Sequence, residues 1–360
     1  MAEETTLGDF LRQRGISRRG FLKFSTAMAT AMAMPPSFAS DMAKGMEKAK
    51  RQSVIWLSFQ ECTGCTESLT RSNAPDLESL IFNFISLDYH HTLMAASGHA
   101  AEQARKEAME RAGKGGYLVI VDGSIPTGEG GAYSTIAGHT NLSMLRETLA
   151  DAAAVVSVGT CASFGGIPGA TPNPTGAQSV EALMKAGEVP KKPVINTPGC
   201  PPIPVVMAGT LAYYLSFGRL PEVDHLNRPK PFFGETIHDR CYRRAFYDQG
   251  KFAKSFDDEA ARQGWCLYEV GCKGPTTYNA CATAKWNEGT SFPIESGHGC
   301  LGCSEPGFWD SGSFYQPLSA GDWGDATSLG TAAAAGAALG AGAAYAHRRR
   351  HAEAEQETKS

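Results

Sequence analysis

The residues best suited to chemistry in this chain are its cysteines. His238-x2-Cys241, Cys266-x5-Cys272, Cys281 and Cys300-x2-Cys303 fall in one stretch, residues 238–303, which holds six of the ten cysteines. The others are Cys62-x2-Cys65, Cys161 and Cys200. Thiolates at this density, spaced by glycine and proline, point to soft-metal or iron–sulfur ligation. An even number of cysteines in an exported protein also suggests disulfides. Two observations weigh against that reading. A chain of 360 residues can build two domains and a sizeable core without staples. Its N-terminus also points to folding in a reducing compartment before export. The formal net charge of -4 offers no basic footprint for nucleic acid.

Ser17-Arg18-Arg19-Gly20-Phe21-Leu22-Lys23 reads as a twin-arginine signal, followed by an apolar stretch at 24–34 and a small-x-small site at Ser37-Phe38-Ala39. The bland alternative is a chance basic pair before an amphipathic helix. Export after folding suits a protein that takes up buried metal clusters in the cytoplasm. Residues 1–40 are therefore set aside as a signal peptide. At the other end, residues 327–346 carry no charge and are mostly Ala and Gly. As a helix they would span about 30 Å, roughly one hydrocarbon core. His347-Arg348-Arg349-Arg350-His351 follows, which would keep a tail at 347–360 cytoplasmic. The expectation is a C-terminal transmembrane anchor with the main body on the periplasmic side of the cell membrane. Gly336-x3-Gly340 would offer a small-residue face to another membrane helix. A flexible Ala/Gly linker is the alternative.

Between the ends, strand-like runs alternate with helical patterns. Strands are expected at 54–59, 80–87, 117–121, 154–158 and 193–196, with helices such as 100–112 and 143–152 between them. This pattern predicts an α/β fold with a doubly wound parallel sheet. Cys62 and Cys65 then follow strand one, Cys161 strand four and Cys200 strand five. Ligands in open α/β sheets bind beyond the carboxyl ends of strands, so these four thiols can converge despite their sequence separation. Four thiolates suit a [4Fe–4S] cluster, and the adjoining glycines let backbone N–H groups approach its sulfurs. A flavin phosphate loop at Thr63-Gly64-Cys65-Thr66 and a structural zinc site are weaker alternatives, because zinc prefers compact ligand pairs.

Glu61-Cys62-Thr63-Gly64-Cys65-Thr66-Glu67, Gly159-Thr160-Cys161-Ala162, Pro198-Gly199-Cys200-Pro201-Pro202 and His238-Asp239-Arg240-Cys241 resemble the motifs of membrane-bound [NiFe] uptake hydrogenase small subunits. The resemblance covers nearly the whole chain. It implies a flavodoxin-like domain at 50–228, then an irregular iron–sulfur cluster domain at 229–322, then the membrane helix. It implies Cys62, Cys65, Cys161 and Cys200 as ligands of a proximal [4Fe–4S] cluster. Cys281, Cys300 and Cys303 would hold a medial [3Fe–4S] cluster, and His238, Cys241, Cys266 and Cys272 a distal [4Fe–4S] cluster. The implied activity is electron transfer in reversible H2 oxidation, with the nickel–iron site on a large subunit. No catalytic residue is expected in this chain, which lacks the paired CxxC motifs of that subunit. The implied electron acceptor is a membrane protein, a b-type cytochrome by family expectation. Gly64 and Gly166 stand where oxygen-tolerant members carry two further cysteines, so the standard, oxygen-sensitive kind is expected. Pro293 stands where four-iron medial clusters have a cysteine, which favours three irons.

Other polar residues read less sharply. His298 beside Cys300 is either a donor to a cluster sulfur or a packing residue. Glu61 and Glu67 flank the first motif and suit docking, proton movement or surface ion pairs equally. His90-His91 resembles a metal pair with no third ligand, so a structural role is expected. Gly128-Glu129-Gly130-Gly131 lacks a phosphate-loop lysine and is read as a turn at a cluster edge or where the large subunit docks. Quinone-linked relatives built on the same first domain lack the 238–303 segment and are disfavoured. An exported disulfide-rich binding protein is the rival from another class.

Overall fold

Unbroken apolar runs form the middle of the molecule because each strand there is covered on both faces. In this computed structural model, residues 6–73 and 75–318 are described. The strands are β1 (Gln52–Ser58), β2 (Ile85–His90), β3 (Tyr117–Asp122), β4 (Ala154–Val158) and β5 (Val194–Thr197). All pair in parallel, in the order β2-β1-β3-β4-β5. That is the doubly wound order, with its switch point between β1 and β3. Register places Trp56 beside Ile120, Leu118 beside Ala154, and Val156 beside Ile195.

Nine helices of five or more residues surround or precede the sheet among the described residues up to position 217. They are α1 (Leu7–Gln13), α2 (Arg18–Ala31), α3 (Pro36–Lys48), α4 (Gly64–Thr70), α5 (Gly98–Ala112), α6 (Asn141–Leu149), α7 (Gly159–Phe164), α8 (Val180–Ala186) and α9 (Pro204–Phe217). Alternate strand residues feed two cores. Ile55, Leu57, Val119, Val121 and Val155 pack with Ala108 of α5, Leu145 of α6 and Leu183 of α8. Val54, Trp56, Leu118, Ile120 and Val156 pack with Met207, Leu211 and Leu215 of α9, and with Leu7 and Phe21 of α1 and α2.

Three sequence expectations need correcting or qualifying. The second strand begins later than expected, because Leu80–Phe84 forms a π-helical turn and only Ile85–His90 is extended. The Asp76 carboxylate accepts the Ser79 N–H at 2.7 Å and starts a helical turn there. Arg51 then donates to the carbonyls of Ile81 and Ile85, holding the turn against the sheet. A short apolar run does not by itself distinguish the two conformations.

Residues set aside as a signal also take part in this fold. Leu7, Leu11, Phe21, Met28 and Met32 are buried, whereas Leu22, Thr26 and Thr30 face solvent. Ser37-Phe38-Ala39 lies inside α3, with the Phe38 ring 5.1 Å from that of Phe217. The amphipathic spacing of these apolar residues lets them pack on α9 and on the sheet residues beside it.

The transmembrane part of the expected fold class is overturned for the described residues. No helix among them is long and apolar enough to cross a membrane. The longest, α5, has 15 residues and reaches only about 22 Å, short of a hydrocarbon core of about 30 Å. The expected span at 327–346 and the tail at 347–360 lie outside the described residues. The chain divides into a unit Met1–Pro317 and a unit Leu318–Ser360, and only Leu318 of the second is described.

After α9 the regular architecture stops. Short helical turns follow at Lys230–Phe233, Arg244–Asp248, Glu259–Arg262, Tyr268–Val270, Gly274–Thr276 and Cys281–Ala284. A small core of Ile237, Ala253, Leu267, Val270, Phe292 and Ile294 lies between them. A buried cation supplements it. Arg228 donates to Asp224 at 2.7 Å and to both oxygens of Glu305 at 2.9 and 3.0 Å, with its guanidinium against the rings of Phe233 and Tyr278.

Candidate iron–sulfur centres

All ten cysteines are unpaired, which leaves their thiols free for ligation and removes the disulfide reading. Parallel strands deliver the first group to one edge of the sheet. Cys62 and Cys65 lie where β1 turns into α4, a turn made by Thr63 in the left-handed conformation at φ 65°. Cys161 lies in α7 directly after β4, and Cys200 follows β5. Close approach is possible because two positions carry no side chain. A Cβ on Gly159 (φ +81°) would stand 2.4 Å from Cys65 Sγ, and one on Gly166 (φ +58°) 2.5 Å from Cys161 Sγ.

These thiols influence one another electrostatically. Burial pushes Cys65 well up, assisted by Asp122, Cys161 and Cys200. Burial and then Cys200 push Cys161 up to about 12, and burial, Cys303 and Cys62 push Cys200 up to about 11. Thiols held this way are neutral at physiological pH unless cationic metal displaces their protons. The donor set therefore fits an iron–sulfur cluster, which takes four cysteine thiolates and a close backbone cradle.

Next to this group lies a polar chain that sequence reasoning missed. Asp122, 1 % exposed, ends β3 and faces the Cys65 thiol. Burial and then Glu61 push its carboxyl up to about 7. Thr66 donates to Asp122 Oδ2 at 3.3 Å and also meets His90 Nε2 at 3.3 Å. Asp122 Oδ1 and Glu61 Oε2 are buried without a hydrogen-bond partner. The signal available in the sequence was an acidic residue closing an otherwise apolar strand.

A second group gathers Cys281, Cys300 and Cys303. Burial raises all three thiols. Cys303 next raises Cys281, and Cys272 and then Cys303 raise Cys300. Gly302 N–H donates to Cys300 Sγ at 3.4 Å, a bond that would favour the thiolate. The third group has His238, Cys241, Cys266 and Cys272 lining one small pocket with Arg243, Leu267, Gly274 and Ile294. His238 is pushed down by burial and then by Arg244, so its imidazole is neutral and available as a ligand. Its ring stands edge-on to Tyr247 at 4.4 Å. Burial pushes Cys266 up to about 11. Cys300 N–H donates to Cys272 Sγ at 3.3 Å and so joins the second group to the third. Among the described residues, no three His, Cys, Asp or Glu side chains form a site for a single metal ion.

The remaining candidates are also placed. His90 is buried against the Trp56 ring and bonded to Thr66, not paired with a metal-ligating partner. Glu67 makes an exposed ion pair with Arg71 at 2.7 Å. His298 Nδ1 bonds the carbonyl of Gly299 at 2.8 Å, and its ring stacks on Phe256 at 5.5 Å, so packing describes it. Gly128–Gly131 is a 3-10 turn, with Gly128 N–H bonded to Thr175 O.

Residues 62–214 match the family described as NADH ubiquinone oxidoreductase, 20 Kd subunit, and residues 233–316 match the C-terminal family of the NiFe/NiFeSe hydrogenase small subunit. The uptake hydrogenase small subunit of Azotobacter vinelandii is 49% identical over 319 residues, covering 89% of this chain and 87% of that one. The hydrogenase-1 small chain of Escherichia coli K12 is 44% identical over 367 residues, covering 99% and 97%. Among solved structures, the [NiFeSe]-hydrogenase of Dm. baculatum aligns with a TM-score of 0.69 at 36% identity, over 75% of this chain and all of that one. The actinobacterial-type NiFe-hydrogenase of Ralstonia eutropha H16 aligns with a TM-score of 0.67 at 27% identity, over 76% and 84%. Full-length similarity to these small subunits, on a sheet that gathers free thiols at its strand ends, shows that the chain belongs to the small-subunit family of the NiFe hydrogenases.

Proposed function

We propose that this chain conducts electrons released by H2 oxidation on the large subunit through three iron–sulfur clusters to a membrane acceptor, a b-type cytochrome. The supporting observation is the sorting of its thiols into three neighbouring groups. Cys62, Cys65, Cys161 and Cys200 would hold a proximal [4Fe–4S] cluster. Cys281, Cys300 and Cys303 would hold a medial [3Fe–4S] cluster, and His238, Cys241, Cys266 and Cys272 a distal [4Fe–4S] cluster. When bound, such clusters supply centres that gain and lose one electron.

The chain's own residues would tune that exchange. Backbone N–H groups aimed at Cys272 and Cys300 sulfur favour added negative charge, which raises potential. His238 replaces an anionic thiolate with a neutral imidazole and acts in the same direction at the distal site. Gly64 and Gly166, in place of further cysteines, assign the oxygen-sensitive kind. The twin-arginine motif supports export of the folded body to the periplasmic side of the cell membrane.

The test is iron content and EPR on the anaerobically purified complex. About eleven irons held by this chain, beside the one of the large subunit's nickel–iron site, and an oxidised three-iron signal are expected. About four or eight irons, or no three-iron signal, would overturn the assignment.

A further inference from the structure

The link between the first and second thiol groups runs through one threonine. Thr160 directly precedes Cys161 and is 1 % exposed. Its N–H donates to the Gly199 carbonyl at 3.0 Å, and its Oγ1 accepts the Gly199 N–H at 3.0 Å. This reciprocal pair locks the loop after β4 to the loop after β5. The single hydroxyl hydrogen then points away from Gly199 and is donated to the carbonyl of Cys303. Three cysteine-bearing loops therefore meet at one side chain. Beyond Cys303, Ser304 Oγ donates to Tyr278 O at 3.0 Å, and Glu305 accepts the Tyr278 N–H at 2.7 Å while holding Arg228. Cys303 is thus held from both sides. Because Cys200 directly follows Gly199, the same hydroxyl holds Cys303 beside the loop that carries Cys200.

We propose that Thr160 is a positioning residue that fixes the Cys303 loop against the loops carrying Cys161 and Cys200 and thereby sets the potential of the medial centre and its coupling to the proximal one. The inference rests on the three-cluster reading above. Removing the hydroxyl frees the Cys303 carbonyl and leaves the buried Gly199 N–H without a partner, so only the Thr160 N–H to Gly199 carbonyl bond still joins the two strand-end loops and Cys303 is untied from them. Cys303 then loses its fixed surroundings, and the potential they set moves.

The test compares Thr160→Val, isosteric but without the hydroxyl, with Thr160→Ser, which keeps it, in the heterodimeric complex. Redox titration followed by EPR should show the medial midpoint shifted in Thr160→Val and restored in Thr160→Ser. The magnetic interaction between medial and proximal centres should weaken in Thr160→Val alone. A Thr160→Val complex with full iron and an unshifted midpoint would overturn the inference. A crystal structure of the unaltered complex tests it without any variant. Thr160 Oγ1 must lie within hydrogen-bonding reach of both the Gly199 N–H and the Cys303 carbonyl, and separation from either would overturn it. Failure of the three-cluster reading is distinguishable, because it would appear as missing iron in the unaltered complex.

Discussion

The sheet and the segment after α9 solve the same problem by opposite means. In the sheet, Cys62, Cys161 and Cys200 are far apart in sequence, and the carboxyl ends of β1, β4 and β5 bring them together. The strands are rigid, so precision comes from the backbone, and room for sulfur comes from omitted side chains. After α9, no long strand or helix is present among the described residues, and the cysteines approach through short turns. Precision there depends on individual polar contacts, chiefly Arg228 with Asp224 and Glu305. The contrast teaches that a scaffold tolerates loss of single contacts, whereas a turn-built region does not tolerate loss of a staple.

The largest effect should come from filling space on the sheet side. Gly159→Ala places a Cβ 2.4 Å from Cys65 Sγ at a φ of +81°. Neither the sulfur nor the strand-end backbone can yield far, so iron content should fall by about four per chain. Gly302→Ala is the matched change on the other side. Its φ is +79°, but the nearest atom to a new Cβ is 3.6 Å away. It should cost about 1 kcal/mol of backbone strain and leave iron content unchanged. Equal iron loss in both variants would erase the distinction between the regions.

Removing the staple should act in the opposite place. Arg228→Met leaves Asp224 and Glu305 facing each other without their cation in a site where Arg228 is 1 % exposed. Breaking a buried ion pair of this kind costs about 3–5 kcal/mol. Hydrogen exchange should accelerate across 229–316 while the strands of the sheet stay protected. Uniform acceleration would show that the two regions unfold together.

How much of this was legible in the sequence follows the same division. Periodicity located the five strands and their order of appearance, and the strand-end rule placed Cys62, Cys65, Cys161 and Cys200 on one edge. It did not separate the π-helical turn at Leu80–Phe84 from the strand after it, because that turn is set by Asp76 and Arg51, residues outside the apolar run. The N-terminal segment was set aside, yet its buried Met28 and Met32 pack against α9 and the residue before it, since amphipathic spacing serves packing as well as export. The irregular region gave only cysteine spacings. Its arrangement depends on Arg228 meeting a glutamate far along the chain, and no local pattern reports that pairing. The roles of Asp122 and Thr160 were not legible for a similar reason, as one polar atom in each matters only once loops converge.

The last effect, a pH dependence, compares two imidazoles, His90, which is fully buried, and His238, which is half-buried. His90 is fully buried in the sheet domain. Thr92 N–H donates to its Nδ1 at 3.3 Å, so Nε2 carries the proton toward Thr66 Oγ1, which donates in turn to Asp122. A second proton would set Nδ1–H against the Thr92 N–H, beside the His91 ring and without a carboxylate in contact. Burial and His91 accordingly push His90 down to about 4. Because this folded-state value lies below the ordinary 6.5, the unfolded chain binds the extra proton first. Stability is therefore full above about pH 6.5 and falls as pH drops toward 4, by about 3 kcal/mol in all. Asp122, raised to about 7, acts with the opposite sign, so its contribution grows as pH falls below 7. Subtracting the denaturant-unfolding profile of His90→Gln from that of the unaltered chain isolates the imidazole. The difference should favour the unaltered chain increasingly from pH 4 to 6.5 and then level off. A flat difference would mean that His90 accepts its proton in place, and that the sheet domain is less rigid around this histidine than the region holding His238.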